Sequence, residues 1–380
     1  MEKTKVCSRC VMDTSAPSIT FDDTGVCNFC TNYFEQLKVR FQADDKKDLD
    51  SLVLKMKKAG RGKSYDCVIG VSGGVDSTYV AYLVKSQGLR PLAVHLDNGW
   101  NSELAVQNIH RTLTKLDIEL HTHVIDWEEM RAIQKSFLKA SIPGMEIPTD
   151  HAIYSILREV ACAKGIEYIV NGSNFKTEFI MERSWSEMMG QLDWLLIKNI
   201  HKRFGNGYFD SYPKTSRSAF YKSRIKKMPK VVYFLDYINF SKESAMSFIQ
   251  DELDWQAYGG KHYESIYTRF TQAYIQPKKF GIDKRKAHFS NLICMGEMNR
   301  DDALAELSRS AYSSVEMEKE DKELVLKKLK LTQAEFEVIM NAPNLTFKDY
   351  NGYHNSFIHS KLFNLIRALY KSVKRFRGYD

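Results

Sequence analysis

The chain has 380 residues, 43% of them apolar, which is ample for one large domain or two ordinary ones. It contains no apolar run long enough to span a bilayer, and the opening Met1-Glu2-Lys3-Thr4-Lys5 lacks the apolar stretch of a secretion signal, so the expected compartment is the cytoplasm. Lys and Arg number 55 against 47 Asp and Glu, a net charge of +8; this suits phosphate-bearing ligands without choosing among nucleotides, sugar nucleotides and RNA.

The first chemical motif is Cys7-Ser-Arg-Cys10 with Cys27-Asn-Phe-Cys30, two C-x2-C pairs separated by sixteen residues. Each tight turn brings two thiolates to one side, and four thiolates close a tetrahedral site suited to Zn²⁺. No position is left for water, so the site should be structural. A redox dithiol pair and four unrelated buried cysteines are the alternatives. Between the pairs, Asp23-Thr24-Gly25 marks the turn of a short hairpin. From Tyr33 to Gly60, apolar residues three or four apart fit helices, divided by the charged run at 44–48.

Cys67-Val68-Ile69 reads as a buried strand. Ser72-Gly73-Gly74-Val75-Asp76-Ser77 then interrupts the apolar run before a helix over 76–85. Adjacent glycines let backbone N–H groups approach an anion, and the helix start adds unpaired donors and the positive end of its dipole. Ser72, Gly73, Gly74, Asp76 and Ser77 are therefore candidates to hold a phosphate. No Gly-Lys-Ser/Thr follows and the spacing is not Gly-x-Gly-x-x-Gly, which disfavours kinase-like transfer and hydride transfer. The bland alternative is a Gly-rich turn in which Asp76 and Ser77 only cap a helix.

Strands and helices then alternate. Pro91–Asp97 is a second strand, and its exit turn aims Asp97, Asn98 and Trp100 at the nucleotide if the sheet is parallel. A helix over 101–116 leads to a strand over 119–125, whose His121 and His123 read as ordinary sheet histidines. Another helix covers 127–140, and a loop at 144–151 opens a helix over 152–164. The strand at 167–171 exits through Gly172, Ser173 and Asn174, placed for an α-phosphate. Glu178 is a candidate ligand for Mg²⁺, with an ordinary surface glutamate as the alternative. The parallel repeat is expected to end there.

Residues 175–260 interleave aromatics (Trp185, Trp194, Phe204, Tyr208, Phe209, Tyr212, Phe220, Tyr221) with Lys and Arg, a pattern that serves nucleic acid, a sugar nucleotide or a packed helix. No stacking-platform signature favours direct RNA binding. Val231–Tyr237 is a further strand candidate. Lys261 and His262 follow a Gly-Gly turn, and the Lys-rich stretch 277–288, with Lys284 and Arg285, reads as a loop whose charge is either a solvated face or, beside a pyrophosphate-releasing site of the kind the loop at 72–77 resembles, able to stabilise departing pyrophosphate and bind an acidic acceptor. Residues 301–380 look helical and show no legible chemistry.

Ser72-Gly-Gly-x-Asp-Ser77 resembles the pyrophosphate loop of the ATP pyrophosphatases, which cleave ATP between its α- and β-phosphates. That likeness implies a doubly wound parallel α/β sheet of the adenine nucleotide alpha hydrolase type, binding ATP and Mg²⁺. The Cys-Ser-Arg-Cys-Val-Met-Asp knuckle, His95-Leu-Asp-Asn-Gly-Trp100, Pro148-Thr-Asp-His151, Asn171-Gly-Ser-Asn174, Tyr258-Gly-Gly-Lys-His-Tyr-Glu-Ser265 and Lys279-Phe-Gly-Ile-Asp-Lys-Arg285 extend the likeness over nearly the whole chain. Together they resemble the N-acetyl sugar amidotransferases. This implies conversion of a sugar acetamido group to an acetamidino group, on a nucleotide-linked or nonulosonic sugar destined for surface polysaccharide or flagellin glycan. It also implies ammonia from a separate glutaminase and channel pair resembling that of histidine biosynthesis. Met1-Glu2 offers no N-terminal nucleophilic cysteine, in keeping with an external ammonia source. A tRNA thiolase is the competing class, but Cys67, Cys162 and Cys294 all read as core thiols. The resulting layout is a zinc knuckle (1–32), a helical linker (33–62), an ATP-binding domain (63–180), an acceptor and pyrophosphate region (181–300) and a helical C-terminal region (301–380).

Overall fold

The structure is a computed structural model and describes residues 4–40, 45–186, 192–215, 228–258, 263–353 and 355. Two helices, α1 (Asn28–Arg40) and α2 (Asp45–Ala59), precede the sheet. Five strands follow: β1 (Cys67–Gly70), β2 (Pro91–Asp97), β3 (Glu119–Val124), β4 (Tyr168–Asn171) and β5 (Lys230–Tyr233). All pair in parallel, in the order β3-β2-β1-β4-β5.

Period-two alternation sorts their side chains into two cores. Val68, Leu92 and Ile169 face α5 (Trp127–Ala140) and α6 (Ile147–Ala163), where they meet Ile133, Phe137 and Ile156. Ile69, Ala93 and Val170 face α2, α3 (Val75–Ser86) and α4 (Glu103–Leu116), where they meet Met56, Val80 and Ile109. A parallel sheet needs both faces covered in this way. The chain winds from β1 through α3, β2 and α4 to β3, then returns along the other face through α5 and α6 to β4. The winding reverses between β1 and β4, so a crevice opens at their C-terminal ends.

Three expectations need correction. The parallel repeat does not end at residue 174, because Val231 and Val232 pair with Ile169 and Val170. Helix α6 begins at Ile147 rather than 152; Pro148 fits its first turn, where the absent N–H costs nothing. The Lys-rich stretch is largely helical rather than a loop. Thr271–Phe280 is a wide-turned π-helix with Pro277 inside it. There Lys278 pairs with Glu318 at 2.5 Å, and Lys279 donates to the carbonyls of Met340 and Ala342.

Most of the described aromatics of the basic region are core rather than platform, Tyr208 being the exposed exception. Trp185 and Tyr212 are buried, and Trp194, Phe204 and Phe209 pack onto the α5–α6 side. Phe220 and Tyr221 lie outside the described residues. His121 and His123 sit on the edge strand β3, and His123 Nε2 donates to the Ser211 carbonyl at 2.9 Å. Among the described residues, no helix is long and apolar enough to cross a membrane.

Candidate active site and cysteine knuckle

The loop after β1 is built for an anion. Gly73 has φ +82°, and a Cβ there would meet the Ala105 carbonyl at 2.6 Å, so only glycine fits. Gly74 is the N-cap of α3 and supplies no side chain to close the helix start. The first intrahelical bond is Thr78 N to the Gly74 carbonyl, which leaves the N–H groups of Val75, Asp76 and Ser77 without a helical acceptor. Ser72 and Ser77 gather beside them: their Oγ atoms are 3.2 Å apart, Ser72 N donates to Ser77 Oγ, and Gly74 N donates to Ser72 Oγ. Asp76 is half-buried in the first turn of α3, where the helix dipole favours a carboxylate.

Across the crevice, the exit of β4 closes on this turn. A Cβ on Gly172 would stand 3.2 Å from Ser77 N. The next residue, Ser173, is fixed by its own strand end, its N–H donating to Asn171 Oδ1 at 2.9 Å. Asn174 caps the short helix Phe175–Glu178 through its Oδ1. Its buried Nδ2 finds no protein acceptor among the described residues, a donor suited to a bound nucleotide. Glu178 is exposed at the end of that helix, and its charge contributes to the raised pKa of Asp236, whose main cause is burial.

At the end of β2, Asp97 Oδ1 accepts from Gly99 N at 2.8 Å and lines a cleft of about 400 Å³ with Val124, Asp126, Trp127 and Lys328. Trp100 does not face this cleft as a ligand group. It is buried, with Nε1 donating to Gln134 Oε1 at 2.6 Å. Lys328, from the helix Val315–Leu329, donates to the Gly99 carbonyl and lies 4.7 and 4.6 Å from the rings of Trp100 and Trp127. Burial lowers its pKa, and Asp97 partly opposes that shift. Nothing in its amphipathic helix marks Lys328 as a site residue.

The C-terminal half reaches the phosphate loop directly. Trp255 Nε1 and Tyr258 Oη both donate to the Gly73 carbonyl, at 2.7 and 2.6 Å. The carboxylate of Glu264 comes within 3.7 Å of where a Cβ on Gly74 would be. Of the cations assigned to this region, Lys261 and its neighbour His262 lie outside the described residues. Lys284 is half-buried at the N-cap of the helix Arg285–Met295. Arg285 is turned to structural work: it forks onto Asp283 at 2.7 Å and donates to the carbonyls of Glu306, Arg309 and Ser310. Carbonyls after a helix end attract a guanidinium as a leaving group would, and a sequence does not reveal them.

Cys7, Cys10, Cys27 and Cys30 are buried, and their Sγ atoms all lie within 4.8 Å of one another. A tetrahedron with Zn–S near 2.3 Å has S–S edges of about 3.8 Å, and Cys10 and Cys27 stand 3.7 Å apart. Hydrogen bonds from Cys10 lower the pKa of Cys7 and Cys27, whereas those with Cys27 and Cys10 raise Cys10 and Cys30 respectively. The donor set and spacing fit Zn²⁺. Cys294 Sγ lies 3.9 Å from Cys30, outside the four. The knuckle rests on the short helix after β4 and on Ser290: Tyr33 stacks on Phe175 at 5.3 Å and donates to the Lys176 carbonyl, and Val11 N donates to Ser290.

Two stretches of the chain match known families. Residues 48–181 match the NAD synthase family, so the sheet domain is of the pyrophosphate-loop ATP-pyrophosphatase class. Residues 264–367 match the family described as LPS biosynthesis protein WbpG-like, C-terminal domain. The chain thus joins a NAD synthase-like ATP-pyrophosphatase domain to a WbpG-like C-terminal domain. It is 30% identical over 138 residues to the tRNA-specific 2-thiouridylase MnmA of Colwellia psychrerythraea strain 34H, covering 32% of this chain and 36% of that protein. The chain therefore spans about a third of that relative's length. Among solved structures it is similar to the NH3-dependent NAD synthetase of Campylobacter jejuni (14% identity, 80% of this chain and 99% of that one, TM-score 0.31). It is similar also to the NMN synthetase of Francisella tularensis (17% identity, 56% and 88%, TM-score 0.29).

Proposed function

We propose that this chain is the ATP-dependent component of an N-acetyl sugar amidotransferase acting in O-antigen or flagellin glycan synthesis. The acetamido carbonyl oxygen of a nucleotide-linked or nonulosonic sugar attacks the α-phosphorus of ATP, and the α–β anhydride bond breaks. Pyrophosphate leaves, the amide proton passes to solvent, and an O-adenylated imidate remains. Ammonia adds to the imidate carbon, AMP is expelled, and the acetamidino sugar results. No protein nucleophile is needed.

In this reading Ser72, Gly73, Gly74 and Ser77, with the first turn of α3, hold the β- and γ-phosphates. Asp97 binds the nucleoside, and Gly172, Ser173 and Asn174 line the α-phosphate. Glu178 is the carboxylate assigned to Mg²⁺, which would neutralise charge on the departing pyrophosphate, and Asp76 belongs to the phosphate loop itself. Lys261 and Lys284 are assigned to pyrophosphate or acceptor. The ammonia source is a separate glutaminase with a channel subunit. Zn²⁺ on the cysteine knuckle is structural.

The observation that carries the reading is that the segment leading into the WbpG-like domain hydrogen-bonds the phosphate loop itself, through Trp255 and Tyr258 on Gly73. One site draws on both halves. The test is ATP-dependent pyrophosphate release with ammonium, Mg²⁺ and a panel of acetamido sugar nucleotides, with product mass recorded. Replacement of oxygen by NH makes the product about one mass unit lighter; release with no such shift on any sugar would overturn the assignment.

The match to a tRNA 2-thiouridylase supplies the second reading, a zinc-containing tRNA thiolase. Against it, the three remaining cysteines sit on three separate elements. Cys67 is buried in β1, where burial raises its pKa; Cys162 is exposed near the end of α6; Cys294 lies against Cys30. Sulfur-dependent release on tRNA would make that reading the better one.

A further inference from the structure

Residues 254–258 form a strap whose polar contacts with the sheet domain, among the described residues, fall at the phosphate loop and at α4. Asp254, in the left-handed region at φ 52°, ends the helix Lys242–Leu253 and turns the chain toward the loop. Asn108, fully buried on α4, then clasps residue 256 with both side-chain atoms: Nδ2 donates to the Gln256 carbonyl at 2.8 Å, and Gln256 N donates to Oδ1 at 2.9 Å. Beyond the strap the chain is tied down again beside α4. Ser102 N donates to the Glu264 carbonyl at 2.9 Å, and Ile266 N donates to the Trp100 carbonyl at 3.0 Å.

Between these anchors, Trp255 and Tyr258 converge on one oxygen. Trp255 is buried, the two rings meet edge to face at 5.4 Å, and both polar hydrogens go to the Gly73 carbonyl. A carbonyl oxygen has two lone pairs, so two donors saturate it. The peptide is trans, as are all in the described chain, so the Gly74 N–H lies on the opposite edge of the same plane. There the Gly74 N–H makes a long hydrogen bond to Ser72 Oγ, at 3.3 Å, on the side where Ser72 and Ser77 gather.

We propose that Trp255 and Tyr258 are positioning residues that lock the Gly73–Gly74 peptide, presenting its N–H to phosphate and withholding its carbonyl. The proposal rests on the reading of this loop as the pyrophosphate site. A carbonyl turned into the site would repel phosphate oxygens, and Gly73, having no side chain, is free to flip unless something holds it. The strap supplies that hold from far along the chain, through Trp255 and Tyr258.

The test uses the full chain as wild type, Y258F, W255F and the double variant, with pyrophosphate and MgATP affinities from titration calorimetry and melting temperature measured alongside. Y258F keeps the ring and its contact with Trp255 and removes the hydroxyl, which donates to Gly73 and is also hydrogen-bonded with Asn108. One lost hydrogen bond to the loop should weaken pyrophosphate binding roughly 3- to 10-fold, with a larger loss in the double variant. The melting temperature of Y258F should stay close to wild type. W255F tests the other donor independently, so a folding defect in one single variant leaves the other to decide. Pyrophosphate affinity unchanged in either folded single variant, with only the melting temperature lowered, would make these residues packing groups and overturn the proposal. A wild-type chain that binds neither pyrophosphate nor ATP would overturn the loop reading itself.

Discussion

Gly172→Ala probes the narrowest part of the proposed site. The added Cβ would stand 3.2 Å from Ser77 N and 3.4 Å from both Asp76 C and Ser77 Cα, all backbone atoms of α3 that cannot swing aside. Gly172 is not in the left-handed region, so alanine carries no dihedral strain there and the effect is one of space alone. Forcing a methyl group against backbone costs about 1–3 kcal/mol, and the stiffer unfolded chain returns about 0.4–1 kcal/mol. A net destabilisation of about 1 kcal/mol is expected in urea unfolding. The functional loss should be larger, because the methyl group stands over the Ser77 N–H. Losing one hydrogen bond to a charged phosphate is worth about 1.5–3 kcal/mol, or roughly 10- to 150-fold in pyrophosphate and ATP affinity by calorimetry. Gly70→Ala is the control on β1, across the sheet: its Cβ meets only the Leu157 methyl groups, at 3.4 and 3.5 Å, and a leucine tip can give way. Wild-type affinity in G172A, or an equal loss in G70A, would refute the placement of phosphate between α3 and β4.

Three further outcomes follow from the geometry. The chain as purified should carry one Zn²⁺, measured by metal-content mass spectrometry; Cys27→Ser should lose it, whereas Cys294→Ser, which removes the thiol beside Cys30 but no ligand, should keep it. Arg285→Ala should cost about 1–3 kcal/mol of stability by abandoning Asp283 and three carbonyls, while leaving ATP affinity unchanged in the same calorimetric assay. For Glu182, burial raises the pKa, but hydrogen bonds from Ser18 and Ser184 outweigh it and the net shift is downward from 4.5. A depressed carboxylate stabilises the fold at pH above its unfolded value and loses that contribution as pH falls through its folded value. Melts of Glu182→Gln should therefore fall below wild type near neutral pH, and the gap should close as the pH is taken below about 4.5.

The parts of the site legible in the sequence are those built from neighbours in the chain. Ser72 to Ser77 is a strand end, a turn and a helix start in six residues, and each C-x2-C pair is one turn. What stays hidden depends on distant pairing. Trp255 and Tyr258 lie 182 and 185 residues from Gly73, and an aromatic in a mixed basic stretch carries no mark of the carbonyl it will meet. Arg285 and Lys279 illustrate the same limit from the other side. Their charge suggests phosphate, but the acceptors they find are backbone carbonyls at the ends of other helices, and those have no signature in composition. Lys328 is hidden for a third reason, since a lysine in an amphipathic helix is ordinarily solvated and only the sheet exit beneath it makes this one different.

The two walls of the crevice are each stiffened by a segment remote in sequence. The β1–α3 wall is held by the strap at Gly73. The β4 wall is held by the knuckle layer, through Tyr33 on Phe175 and through Asn291, which clasps Ile180 by both its N–H and its carbonyl at 2.9 and 3.0 Å. Asn291 lies on the helix Arg285–Met295, which also carries Ser290 against the knuckle. Arg300 completes the tie by donating to the carbonyls of Cys7 and Cys10. Loops at strand ends are otherwise the least constrained part of a doubly wound sheet. Oriented donors accelerate a charge-separating step only if they need not reorganise when the charge develops, and here the constraint comes from outside the sheet on both sides.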